Sequence, residues 1–124
     1  MPTNEELDVT CHDDHLAVRF KGEFNAAVGK AVVDTMVASC RQAGLSRILL
    51  DCREMGGAIS ILDRFDMAEY GARVIDRHIT IALVGREEDI LPDNFFENAA
   101  VSRGVRVKVF SDAGEAVGWL RTQA

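Results

Sequence analysis

The stretch Arg47-Ile48-Leu49-Leu50-Asp51-Cys52 decides the fold. Its apolar residues run together instead of alternating, which is the pattern of a strand covered on both faces, so it is placed near the middle of a sheet. On its N-terminal side, Asn25 offers a side-chain oxygen to the free amides of a helix expected to run to about Gln42. Val28, Val32, Val33, Met36, Val37 and Cys40 form that helix's apolar stripe, and Gly44 is its expected left-handed stop. On the C-terminal side, Gly56-Gly57 leads to Ser60 and Asp63, a Ser-x-x-Asp variant of the capping box that opens a second helix. Leu62, Phe65, Ala68, Ala72 and Ile75 are expected on the inner side of that helix.

Further out, Leu7, Val9 and Cys11 alternate with polar residues, and the alternation resumes at Leu16, Val18 and Phe20. This predicts a hairpin turning at Asp13-Asp14, with Cys11 opposite Leu16, Val9 opposite Val18 and Leu7 opposite Phe20. The same register sets Asp8 against Arg19 and Glu6 against Lys21, so hydrophobic and charge patterns agree. Ile79 to Gly85 is a second buried strand, followed by a short helix that starts near Pro92 and ends at Gly104. Val105, Val107 and Val109 then mark a strand with one wet face, and Asp112 with Glu115 caps a final helix carrying Ala116, Val117 and Leu120. The element order is β-β-α-β-α-β-α-β-α. Because each helix must cross over between successive strands, the expected architecture is a single α/β domain over residues 1–124, with a mixed sheet of about five strands, an N-terminal hairpin and four helices.

The chain has 124 residues with 14 Lys and Arg against 20 Asp and Glu, and a net charge of −6 repels a phosphate backbone. No nucleic-acid partner is expected. Cys11, Cys40 and Cys52 lack the spacing of a metal or redox motif and read as reduced core thiols, which places the chain in the cytoplasm. The start, Met1-Pro2-Thr3-Asn4-Glu5-Glu6, has neither the basic nor the apolar region of a signal peptide, and no transmembrane segment is expected.

The element order, with Leu49-Leu50-Asp51 leading through a glycine-bearing loop to a capped helix, resembles the STAS superfamily, to which the sporulation anti-anti-sigma factor belongs. The stretches Asp93 to Asn98, Arg103-Gly104-Val105, Val109 to Asp112 and Glu115 to Leu120 resemble more specifically the bacterial SpoIIAA-like proteins. That branch is also compared with CRAL-TRIO lipid-carrier domains. The resemblance covers most of the chain and implies a STAS/SpoIIAA-like fold and a regulatory role. In anti-anti-sigma factors an Asp-Ser-Ser-Gly motif at the start of the helix after the third strand carries a regulatory phosphoserine. The corresponding neighbourhood is Ala58-Ile59-Ser60-Ile61-Leu62, in which only the hydroxyl position, Ser60, carries over.

Ser60 therefore has two readings, a plain helix cap and a phosphorylation or partner-docking site, since a phosphate is well placed at a helix N-terminus. His12 and His15 flank the hairpin turn and read as exposed residues instead of metal ligands, and His78 reads as surface. Arg86-Glu87-Glu88-Asp89 reads as a solvated loop. No phosphate loop, dinucleotide fingerprint or nucleophile elbow is present, so no catalytic residue, metal or cofactor is expected. Phe95 and Phe96 are adjacent on a short helix and cannot both point inward. Met55, Ile59, Ile61 and Met67 surround the Gly56-Gly57 connection, which is the best candidate for a moving lid.

Two functions follow as expectations. The first is a non-catalytic regulatory or protein-interaction module of STAS type centred on Ser60. The second is a carrier of an apolar, lipid-like small molecule, or a domain in peripheral contact with a membrane. Its pocket or lid would be formed by Met55, Gly56, Gly57, Ile59, Leu62, Phe65, Phe95 and Phe96. A homodimer through an exposed sheet edge is a further expectation.

Overall fold

The computed structural model describes residues 6–56, 60–86 and 95–123. Strands β1 (Glu6–Cys11) and β2 (Leu16–Glu23) form the hairpin, followed by α1 (Ala26–Ala43), β3 (Arg47–Gly56), α2 (Ile61–Val74) and β4 (Thr80–Val84). Helix α3 (Phe95–Ser102), strand β5 (Arg106–Phe110) and helix α4 (Ala113–Arg121) complete the chain. The strands lie in the order β1-β2-β3-β4-β5, with β1 antiparallel to β2 and the other neighbours parallel. The hairpin register is the predicted one, Cys11 opposite Leu16, Val9 opposite Val18 and Leu7 opposite Phe20. Its turn is closed by the His12 amide donating to the His15 carbonyl at 2.9 Å.

Sequential parallel strands joined by crossovers of one hand put their helices on one side. Leu16, Val18, Phe20, Ile48, Leu50, Cys52, Ile81 and Val107 accordingly share a core with α1, α2 and α3. Among the described elements α4 alone covers the opposite face, where Ala116 and Leu120 pack on Ala82 and Val84 with Leu49, Phe110 and Trp119 around them. Helix ends follow the sequence closely. Asn25 caps α1 by accepting from the Val28 amide, Gly44 at φ 69° stops it, and Gly104 at φ 91° follows α3. Asp112 caps α4 by accepting from the Gly114 and Glu115 amides.

Two differences from the sequence reading have clear physical causes. Cys11, expected in the core, is exposed, because β1 is an edge strand and the α1 layer reaches only the strands inside it. His15, expected on the surface, is buried: its Nδ1 lies 2.8 Å from Asp14 Oδ1, its ring stacks on His12 at 4.7 Å, and Asp14 is held by Arg121 of α4 at 3.2 Å. Arg19 and Lys21 stand opposite Asp8 and Glu6 of β1 as expected, and their side chains also have Glu54 of β3 at 3.2 and 4.0 Å.

Strand β3 is longer than the apolar run suggested and contains a bulge. Arg19 pairs with Asp51 but Lys21 with Glu54, so Cys52 and Arg53 together stand opposite Phe20. The Asp51 carboxylate secures the extra residue, accepting from the Arg53 amide at 3.0 Å and from its guanidinium at 3.0 and 2.8 Å. These bonds, led by the one to the guanidinium, hold the Asp51 carboxyl below its usual range. Replacing Asp51 by Ala is expected to cost about 1–2 kcal/mol of folding stability, the scale of charge-assisted bonds at a partly exposed site. Because the folded pKa is depressed, this contribution is present above the ordinary carboxylate pKa near 4 and lost as pH falls through the folded value. Urea denaturation of both forms should therefore differ at pH 7 and converge in acid.

Candidate functional site

Ser60 sits at the carboxyl end of the β3 to α2 connection, exposed, with extended backbone. Its Oγ accepts from the Asp63 amide at 3.0 Å and its carbonyl accepts from the Arg64 amide at 3.0 Å, so it caps α2. Asp63 stands in the first turn of the same helix, where a carboxylate interacts well with the helix dipole and opposes a second anion.

Helix α2 is rotated from the expected orientation. Its inner side carries Met67, Ala68 and Gly71, with Ile75 beyond its end, whereas Leu62 is 80 % exposed and Phe65 39 % exposed. Phe65 is held in that outward position by Arg103, whose guanidinium lies 4.3 Å from the ring centroid and also donates to the Ala99 carbonyl at 2.9 Å. Val101, on the α3 helix that packs against α2, is 52 % exposed. The rotation is fixed by contacts with α1: Lys30 pairs with Asp66 at 3.1 Å, Tyr70 donates to Asp34 at 2.6 Å, and Arg41 makes two 2.9 Å bonds to Asp76.

Beneath α2, between the sheet and α1, α2 and α3, is an apolar cavity of about 150 Å³. Met55 reaches its wall, but not from a loop: Met55 and Gly56 belong to β3, paired with Gly22 and Glu23. In a regular strand residues 52 and 55 would face opposite ways. The bulge at Cys52 and Arg53 brings both Cys52 and Met55 to the cavity side. Leu62 and Phe65, expected to line a pocket, do not, because the rotation of α2 turns them outward. Gly57 and Ile59 lie outside the described residues, as do the side chains of Phe95 and Phe96. The sequence reading passed over Phe24, Met36 and Met67 as wall residues. The signal for them was the coincidence of Met, Phe and Gly29 across α1 and α2, which only the packing reveals.

Among the described residues there is no group of three or more His, Cys, Asp or Glu that could hold a metal ion, and no helix long and apolar enough to cross a membrane. No protein-family model and no curated protein sequence matches the chain. Solved structures do. An anti-sigma factor antagonist from Mycobacterium paratuberculosis superposes with a TM-score of 0.65 at 13 % identity, over 98 % of this chain and 97 % of its own. A protein from Shewanella loihica described as having a SpoIIAA-like fold superposes with a TM-score of 0.58 at 18 % identity, over 97 % and 96 %. The chain has the SpoIIAA-like fold. In this SpoIIAA-like fold Ser60, at the start of the helix after the third strand, sits beside the two apolar side chains turned to solvent.

Two measurements follow. Ser60→Ala should lower folding stability by about 1 kcal/mol and Ser60→Asp, which keeps an acceptor at the cap, should lower it less, as read by thermal or urea unfolding. Burial pushes the Cys40 thiol up to about 11 and the Cys52 thiol up to about 12, both from near 9. A thiol reagent at pH 8 should therefore label Cys11 in the folded chain and all three cysteines after unfolding. Raised folded values mean the stability contribution of these thiols is complete below pH 9 and is lost as pH climbs to about 12.

Proposed function

We propose that this chain is a non-catalytic regulatory module that docks a protein partner through the first two turns of α2. One observation carries the reading: an amphipathic helix that turns Met67, Ala68 and Gly71 inward leaves Leu62 and part of Phe65 in solvent beside the exposed Ser60. A large side chain left outside while glycine and alanine face the core gains nothing in folding, and such a patch is typical of a protein–protein contact. Phe65 is already immobilised by Arg103, so little side-chain entropy remains to be lost on docking. The likeness of the fold to an anti-sigma factor antagonist supports an anti-sigma factor as the kind of partner to try first.

Ser60 is read here as a cap and a contact residue. Its oxygen is engaged by the Asp63 amide, and the Asp63 carboxylate would oppose a phosphate placed beside it. The test is calorimetric titration of the chain with the anti-sigma factors of the same organism. Leu62→Asp is expected to weaken the complex at least tenfold while leaving the thermal midpoint within about 2 °C, since the side chain contributes little to the core. Equal binding by wild type and Leu62→Asp, or no binding to any anti-sigma factor, would overturn the docking surface or the partner class respectively. Phosphate found on Ser60 in native cells by mass spectrometry would replace the cap reading with a switch.

A further inference from the structure

The cavity under α2 has a composition that specifies what could occupy it. The chain's three internal methionines, Met36, Met55 and Met67, all reach its wall, together with Cys52, Phe20 and Phe24. Thioether sulfur and aromatic rings are polarizable surfaces that adapt to an apolar guest without offering it a hydrogen bond. Among the described residues two charged side chains touch the wall, Arg64 and Glu97, and Glu97 already accepts from the Val109 amide at 2.7 Å. The Cys52 thiol is held in its neutral form by burial.

A buried water needs two to four polar partners, and an apolar void of roughly this volume stays dry and admits benzene or xenon. A polar or ionised guest would surrender its hydration for nothing in return. Pockets for drug-sized molecules run from about 300 to 1,000 Å³, so a volume of about 150 Å³ does not house a long acyl chain. We propose that this cavity is a binding site for one small uncharged apolar molecule, about the size of a single six-membered ring. The site shares no wall residue with the docking surface, since Leu62 and Phe65 do not contribute to it.

The helix above the cavity supplies a selective test. Gly29, in the first turns of α1, is where a Cβ would stand 2.6 Å from both Met67 Sδ and Phe24 Cζ. Both side chains border the cavity and must shift to admit an alanine, Met67 through its flexible thioether and Phe24 by swinging its ring. Alanine also favours the helix over glycine, which offsets the crowding. Gly29→Ala should thus remain folded while shrinking the site.

The experiment is a benzene titration of the full chain labelled with ¹³C at the methionine methyls, followed by NMR. Saturable shifts are expected at Met36, Met55 and Met67 and none at Met1, with at least tenfold weaker binding in Gly29→Ala and tenfold weaker binding of phenol to the wild type. Ala68→Leu, which adds bulk to the wall from α2, serves as a second filling variant. The absence of saturable shifts at the three internal methyls would overturn the proposal. So would undiminished binding in both filling variants, or phenol binding as tightly as benzene.

Discussion

The handedness of the strand crossovers is the constraint from which the rest of this molecule follows. With strands laid down in the order β2-β3-β4-β5 and every connection turning the same way, α1, α2 and α3 must share one face of the sheet. The other face is left to α4, which follows the last strand and needs no crossover. A three-helix layer on one side and a single helix on the other produces the observed asymmetry. The β1 edge overhangs the helical layer and leaves Cys11 and Val9 to solvent, while the far side of β2 and β3 carries Arg19, Lys21 and Glu54. The end of α4 nevertheless reaches the hairpin turn through Arg121 and Asp14, which encloses His15.

Three helices resting side by side on a twisted sheet do not fill the space below them automatically. Here α1 comes close at Gly29, α2 presents Ala68 and Gly71, and α3 presents Ala100, so small residues from every helix border the same volume. The bulge in β3 then adds Met55 to the wall next to Cys52, and the Asp51 clamp on Arg53 holds that bulge in place.

The sequence revealed most where two independent patterns agreed. The hairpin register was legible because apolar alternation and opposite charges chose the same pairing, and the helix ends because Asn25, Ser60, Asp112, Gly44 and Gly104 each meet a specific backbone need. It misled where the pattern was degenerate. Helix α2 carries two apolar stripes, one through Leu62 and Phe65 and one through Met67, Ala68 and Gly71, and hydropathy undercounts the second because glycine and alanine contribute so little. The end of β3 was hidden because a bulge interrupts the period-two rule that defines a strand. The cavity was legible only in part: an apolar pocket with Met55 in its wall was expected, but Met36 and Cys52 look like ordinary core, and the void they share is a property of how three helices come to rest.

The proposed docking surface and the cavity meet on one element. Helix α2 shows Leu62 and part of Phe65 to solvent and Met67, Ala68 and Gly71 to the void. An occupant of the cavity alters partner docking only by binding two placements of α2 with different affinity, and the partner then alters occupancy by the same factor. The placements available to α2 are limited by its polar ties to α1 at Asp66, Tyr70 and Asp76. Those ties lie on the rim, are partly exposed and are individually weak, so they permit a small tilt more readily than the packed interior would. Any communication between the two surfaces must accordingly run through displacement of Met67 and a tilt of α2 about its contacts with α1.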